Sequence, residues 1–183
     1  MKVRFFVALF LAFALKRCYA VPADWTSPIA PFGVSGNLYY VGSRDLASYL
    51  VVTPQGNIIV NANLDSSPAL IRQSVETLGF KWKDTKILLS SQAHYDHAAG
   101  AAQIIEETNA KHMVMDGDVD VIKSGGATDF DPTLAHFAPA RVDRILHQAV
   151  RRFSIMVGPF LDHAFSWSIC NSRPGLLAGL RPQ

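Results

Sequence analysis

Between Gln92 and His97 the chain sets an amide, two imidazoles and a carboxylate in six positions: Gln92, His94, Asp96 and His97, with Ala93 and Tyr95 between them. Imidazole and carboxylate are ordinary protein ligands of zinc, and a zinc that keeps one position for water lowers the pKa of that water to near neutrality. The chemistry suggested is metal-assisted hydrolysis. A lone histidine beside a strand is usually a surface or hydrogen-bonding residue, and an Asp after a strand is often a helix N-cap, a role open to Asp96. Four donors at one junction are hard to explain that way, so the group reads as a metal motif.

The apolar run Lys86-Ile87-Leu88-Leu89-Ser90 predicts a buried strand leading directly into the motif. Period-2 alternation then sends Gln92 and His94 to the same side as the chain leaves the sheet. A turn over 95–97, with a helix opening at Ala98, leaves Asp96 and His97 in a connection where they diverge toward a second point. That geometry suits two neighbouring metals. Small residues from Ala98 to Ala102 would let the helix approach the sheet closely, which is also ordinary packing. Tyr95 reads as a packing aromatic or a substrate contact.

Upstream, strands are expected at 38–42, 47–53 and 57–61, with Thr53-Pro54-Gln55-Gly56-Asn57 as a hairpin signal. Tyr39, Tyr40 and Tyr49 are most simply strand residues. Ser67-Pro68 starts a helix with a capping hydroxyl and Pro at its first position; Leu70, Ile71, Val75 and Leu78 share a face before Gly79 ends it. Downstream come a helix to about Thr108, a strand at 112–115 and a helix at 117–123, giving a β-α-β-α run. Asp116-Gly117-Asp118-Val119-Asp120 is not a calcium loop, because Val121 and Ala127 stand where that loop needs Gly and Glu. It reads as a first helical turn with acids at its N-terminus.

These segments resemble the metallo-β-lactamase superfamily. The motif is similar to its His-x-His-x-Asp-His signature, in the Gln-x-His-x-Asp-His variant of subclass B3 β-lactamases, and the strands at 37–42, 46–51 and 56–61 and the segment Met113–Val119 with Gly125-Gly126 match in order and spacing. The likeness runs from about Trp25 to about Phe130. It implies an α/β fold, the αβ/βα metallo-β-lactamase sandwich, of which mainly the N-terminal half is recognisable. It also implies zinc, one or two ions, with Gln92 and His94 serving the first and Asp96 and His97 the second. A Gln carbonyl is a poorer zinc donor than imidazole, so the first site should be the weaker. The implied activity is hydrolysis of the β-lactam ring of a small-molecule antibiotic by a metal-bound hydroxide, with Asp96 as the catalytic residue that orients water, and hence antibiotic resistance. A lactonase or thioesterase of the same fold shares this metal logic.

The N-terminus predicts an export signal over residues 1–20: Lys2 and Arg4 precede an apolar run from Phe5 to Leu15, and Cys18-Tyr19-Ala20 offers a cleavage site. That run is too short to cross a bilayer, which needs about twenty residues. Export would place the protein in the periplasm or outside the cell. Losing residues 1–20 would remove four positive charges and move the formal charge from +2 to −2, which suggests neither nucleic acid nor a membrane surface as partner; a monomer is expected. Only Cys170 would remain, so no internal disulfide is expected.

Composition shifts after about Ala140. Residues 21–140, the expected N-terminal half of the metallo-β-lactamase domain, carry seven basic and thirteen acidic side chains; residues 141–183, a divergent tail, carry six Arg, no Lys and two Asp. Val142 to His147 still resembles the family; beyond Arg151-Arg152 nothing does. In the family a Gly-His-Thr loop and a later histidine complete the two zinc sites, and neither motif is present. His136, His147 and His163 are weak substitutes, each read first as a solvated or packing residue. A shifted reading frame or an early stop would produce this pattern. The alternative reading is therefore a non-catalytic zinc-binding fragment, and the missing ligands tip the balance slightly toward lost activity.

Overall fold

In a computed structural model, residues 21–130 and 135–147 are described, and they form one seven-stranded sheet whose spatial order repeats the order of the chain. The strands are β1 (Phe32–Ser35), β2 (Leu38–Tyr40), β3 (Tyr49–Val51), β4 (Asn57–Val60), β5 (Thr85–Leu89), β6 (Lys111–Met115) and β7 (Arg144–Leu146). β1 to β4 are an antiparallel meander, whereas β4 to β7 run parallel. The helices are α1 (Ala23–Thr26), α2 (Pro68–Thr77), α3 (Tyr95–Ala98), α4 (Ala101–Thr108) and α5 (Val119–Ser124). The expected export signal, His163, Cys170 and the tail beyond His147 lie outside the described residues. Among the described residues no helix is long and apolar enough to cross a membrane.

Chain direction changes where connections change length. The β3–β4 hairpin closes through the Gly56 N–H on Thr53 O (3.1 Å) and the Thr53 hydroxyl on Gly56 O (2.6 Å), with Gly56 at φ +123°, where a side chain would be strained. Parallel pairing needs a crossover, and α2 and α4 supply two. Leu50, Ile59 and Leu88 are cross-strand neighbours at zero exposure, and they share one core with Ile71 and Val75 of α2, Ile104 and Ile105 of α4 and Ile122 of α5. Truncating one such Leu or Ile to Ala costs about 2–5 kcal/mol.

Three sequence expectations change. β1 was not anticipated: all four of its residues are exposed, so it carries no burial pattern, and it is held by pairing with β2 and by Phe32 stacked on Tyr40 at 5.3 Å. The Ser67 hydroxyl does not cap α2; it accepts from the Leu64 N–H at 3.2 Å because Ser67 already has helical backbone angles. The helix expected from Ala98 is two elements, α3 and α4, broken at Ala99-Gly100.

Residues 141–147 continue the sheet, so the change in composition precedes its edge. His112, fully buried on β6, ties them in: its N–H donates to Asp143 Oδ2 (2.8 Å), its Nδ1 donates to Arg141 O (2.9 Å) and its Nε2 accepts from the Ser90 hydroxyl (2.8 Å). Burial pushes the His112 pKa below the ordinary imidazole value.

Candidate metal centre

The motif follows β5 at the carboxyl ends of the parallel strands, where open α/β sheets present their sites. The Asn61 N–H on Leu89 O (2.9 Å) and the Ser90 N–H on Met113 O (3.2 Å) extend the ladders into this edge. Gln92 is half-buried on the segment leaving β5. His94 is still extended and stands at the N-cap position of α3. One helical turn, closed by the His97 N–H on His94 O (2.9 Å), then brings Asp96 and His97 side by side, with Nε2 of His97 3.4 Å from Asp96 Oδ2.

The loop after β4 grips His97. Its carbonyl accepts from the N–H groups of Ala62 (2.9 Å) and Asn63 (3.1 Å), which requires Asn61 and Asn63 at φ +65° and +55°, a region Asn tolerates better than most residues. Asn61 accepts the Ser91 N–H on Oδ1 at 2.9 Å and turns Nδ2 toward Nδ1 of His97 at 3.1 Å. Gly100 donates to Asn63 O, and a Cβ there would lie 2.6 Å from Ala62 O and 2.8 Å from Leu64 O. Only glycine fits this approach. The hydrogen bond to the His97 side chain holds the Asp96 carboxyl below the usual carboxylate range, against the opposing effect of burial.

His94 faces elsewhere. Its Nε2 lies 3.8 Å from Asp129 Oδ1, and its ring centroid lies 5.3 Å from that of the exposed Phe130. Burial pushes the nearby Asp118 carboxyl up, opposed by His94. Burial and the adjacent, hydrogen-bonded Asp65 raise the phenol of Tyr95, so its hydroxyl is engaged with that carboxylate.

Of the expected ligands, the fold thus pairs Asp96 with His97 and directs His94 to Asp129. Among the described residues no three His, Cys, Asp or Glu side chains stand close enough to hold one ion. His136 is exposed, and His147 pairs with Asp116 at 3.3 Å. The residue types nonetheless suit zinc, for which imidazole and carboxylate are ordinary ligands, and Asp96 favours its anionic form. The Asn61 Nδ2 group can only donate, so Nδ1 of His97 accepts from it; a proton on Nδ1 would have Ser91 Oγ, at 3.5 Å, as the acceptor in reach.

Asn61 and Asp129 were missed as site residues in the sequence. The pair of Asn residues flanking Ala62 directly after a strand signals a left-handed loop and could have marked Asn61; Asp129 has only the preceding Gly125-Gly126 turn to announce it.

This fold and site define a metal-motif α/β protein, and the model of the metallo-beta-lactamase superfamily matches residues 44–169; the chain belongs to that superfamily. Similar solved structures include the native FEZ-1 metallo-beta-lactamase from Legionella gormanii, 51% identical with a TM-score of 0.65, over 70% of this chain and 49% of that one. The class B3 di-zinc metallo-beta-lactamase LRA-12 from an Alaskan soil metagenome is 48% identical with a TM-score of 0.67, with the same two coverages. The metallo-beta-lactamase GOB-18 from Elizabethkingia meningoseptica is 43% identical with a TM-score of 0.67, over 69% of this chain and 48% of that one. This chain spans about half the length of these solved relatives.

Proposed function

We propose that the chain is a zinc-dependent hydrolase of β-lactam rings, with Gln92, His94, Asp96 and His97 as its zinc ligands and Asp96 as the catalytic residue. The observation that carries this reading is the Asp96–His97 pair at 3.4 Å, presented at the carboxyl end of β5 in a chain about half identical to a metallo-beta-lactamase. When bound, zinc supplies an acidified water and polarises a carbonyl. Asp96, kept anionic by His97, holds and orients a proton donor such as water; His97 is fixed in place by its carbonyl and by Asn61. The substrate is a small-molecule β-lactam, and the protein is exported as a monomer to the periplasm or beyond once residues 1–20 are removed.

A second reading, a zinc-binding protein without turnover, is favoured by one observation: the described residues bring only two of the expected donors into contact. A catalytic zinc usually has three protein ligands. The experiment is hydrolysis of a chromogenic cephalosporin by the full chain with zinc, then with chelator, beside a direct zinc titration. Chelator-sensitive turnover establishes the hydrolase. Stoichiometric zinc without turnover establishes the second reading, and a folded chain that takes no zinc refutes both.

A further inference from the structure

We propose that the amino end of the parallel strands carries a second ligand site, separate from the metal motif, which takes a small organic monocarboxylate. The site is a cavity of about 430 Å³ between the β3–β4 hairpin and the segment joining α2 to β5. Small-molecule sites commonly measure about 300–1,000 Å³. Thr85 opens β5 at this end and Ser90 leaves it toward Gln92 at the other, so the two sites stand about 16 Å apart along one strand. The second site is independent of the zinc reading above.

Asn57 is the residue that points to a ligand. It lines the cavity from the first position of β4, it is 4% exposed, and its side-chain amide has no hydrogen-bond partner among the described residues. An amide placed so deep gives up its hydration, and such groups are nearly always hydrogen-bonded. Among the described residues the fully enclosed side-chain atoms without a partner are Asn63 Oδ1 and Thr85 Oγ1; the Asn57 amide is not one of them, so the small open part of Asn57 is its head, on the cavity that it lines. Thr85 faces Asn57 in the β4–β5 register and is itself fully buried. Two neighbouring strands thus begin, at one level, with polar side chains that the protein leaves unpaired.

The charge around the cavity selects an anion. Lys81 and Lys86 line it against a single acid, Asp84, which leaves one positive charge to be met. Lys86 is fitted to the wall: a Cβ on Gly56 would collide with its stem and lie 2.9 Å from Asp84 O, so the hairpin glycine is what admits the lysine here. Its ammonium donates to Lys83 O at 3.3 Å and keeps two further N–H groups. Phe80 supplies an apolar wall; its ring meets that of Tyr39 edge-on at 5.0 Å, and its N–H donates to Val75 O at 3.2 Å. One net positive charge, an amide donor and an aromatic surface together suit a carboxylate that carries a ring or a short apolar chain. A dianion would bring more charge than the site offsets.

The experiment titrates the full chain, 15N-labelled, with benzoate and follows its amide signals, with benzamide as the uncharged counterpart and sulfate as a compact dianion. Benzoate should shift the side-chain amide of Asn57 and the backbone N–H groups of Gly56 and Lys81 in a saturable way and leave those of His94 to His97 in place. Benzamide and sulfate should each bind roughly tenfold more weakly or worse. Both lysines are exposed, so Lys81→Gln combined with Lys86→Gln should keep the wild-type unfolding midpoint and lose roughly tenfold in benzoate affinity. Signals at Asn57, Gly56 and Lys81 that benzoate does not move overturn the proposal. Equal affinity for benzamide or sulfate overturns it too, as does wild-type benzoate affinity in the folded double variant. The wild-type titration decides the point even where a variant does not fold.

Discussion

His97 and His94 stand three positions apart on one segment, yet the chain holds them by different means. His97 has its backbone carbonyl bound by two N–H groups of the loop after β4, its Nδ1 faced by Asn61, and glycine behind it at position 100. His94 meets one buried carboxylate at 3.8 Å and one exposed ring, both from the loop after α5. The first arrangement joins two consecutive elements of the sheet; the second depends on a segment more than thirty residues downstream. A metal site assembled from both should therefore have one stiff end and one compliant end, with the tighter ion at Asp96 and His97.

The strongest way to break this comparison is Asp96→Ala, which should weaken the tighter zinc event beyond the roughly 10–100-fold loss that outer partners typically cause; calorimetric titration of the full chain measures it. Asn61→Gly keeps the left-handed backbone and deletes only the amide, so it should cost about tenfold in the same event and leave His94 untouched. An unchanged affinity would mean that His97 needs no outer partner. Gly100→Ala drives a methyl into two backbone carbonyls and should destabilise the metal-free protein by about 1–3 kcal/mol, seen in denaturant unfolding.

The smallest effect lies away from the donors. The buried His112 has a lower pKa than in the unfolded chain, so below the ordinary imidazole value the unfolded state binds more protons and stability falls with pH until the folded pKa is passed. Metal-free protein should thus lose stability as pH falls below about 6.5, the ordinary imidazole value, and His112→Gln should flatten that loss. A wild-type profile as flat as the variant's would show that the proton equilibrium at His112 is not coupled to unfolding.

Most of this fold was legible because its elements obey local rules. The strands β2 to β6 carry apolar or alternating runs, Pro68 opens α2, and the hairpin glycine sits where the turn needs it. β1 was not legible because Phe32-Gly33-Val34-Ser35 is exposed throughout, and its partner rather than its own pattern makes it a strand. The break between α3 and α4 was hidden for a related reason: Ala98 to Ala102 are good helix formers, and it is the Gly100 N–H bound by Asn63 that interrupts them. At the site, the four donors were visible as a string, whereas their outer partners were not. Asn61 and Asp129 lie 36 and 35 positions from the histidines they meet, and a single polar residue at that separation leaves no periodic trace.

The order of the sheet carries a consequence for how the molecule is made. Because each strand pairs with its predecessor, a nascent chain leaving the ribosome has the template for every strand already behind it, and the sheet grows from one edge. The antiparallel meander and the loop that grips His97 are synthesised first; β6, α5 and the segment bearing Asp129 follow. The stiff end of the site can take shape while its compliant end is still being translated.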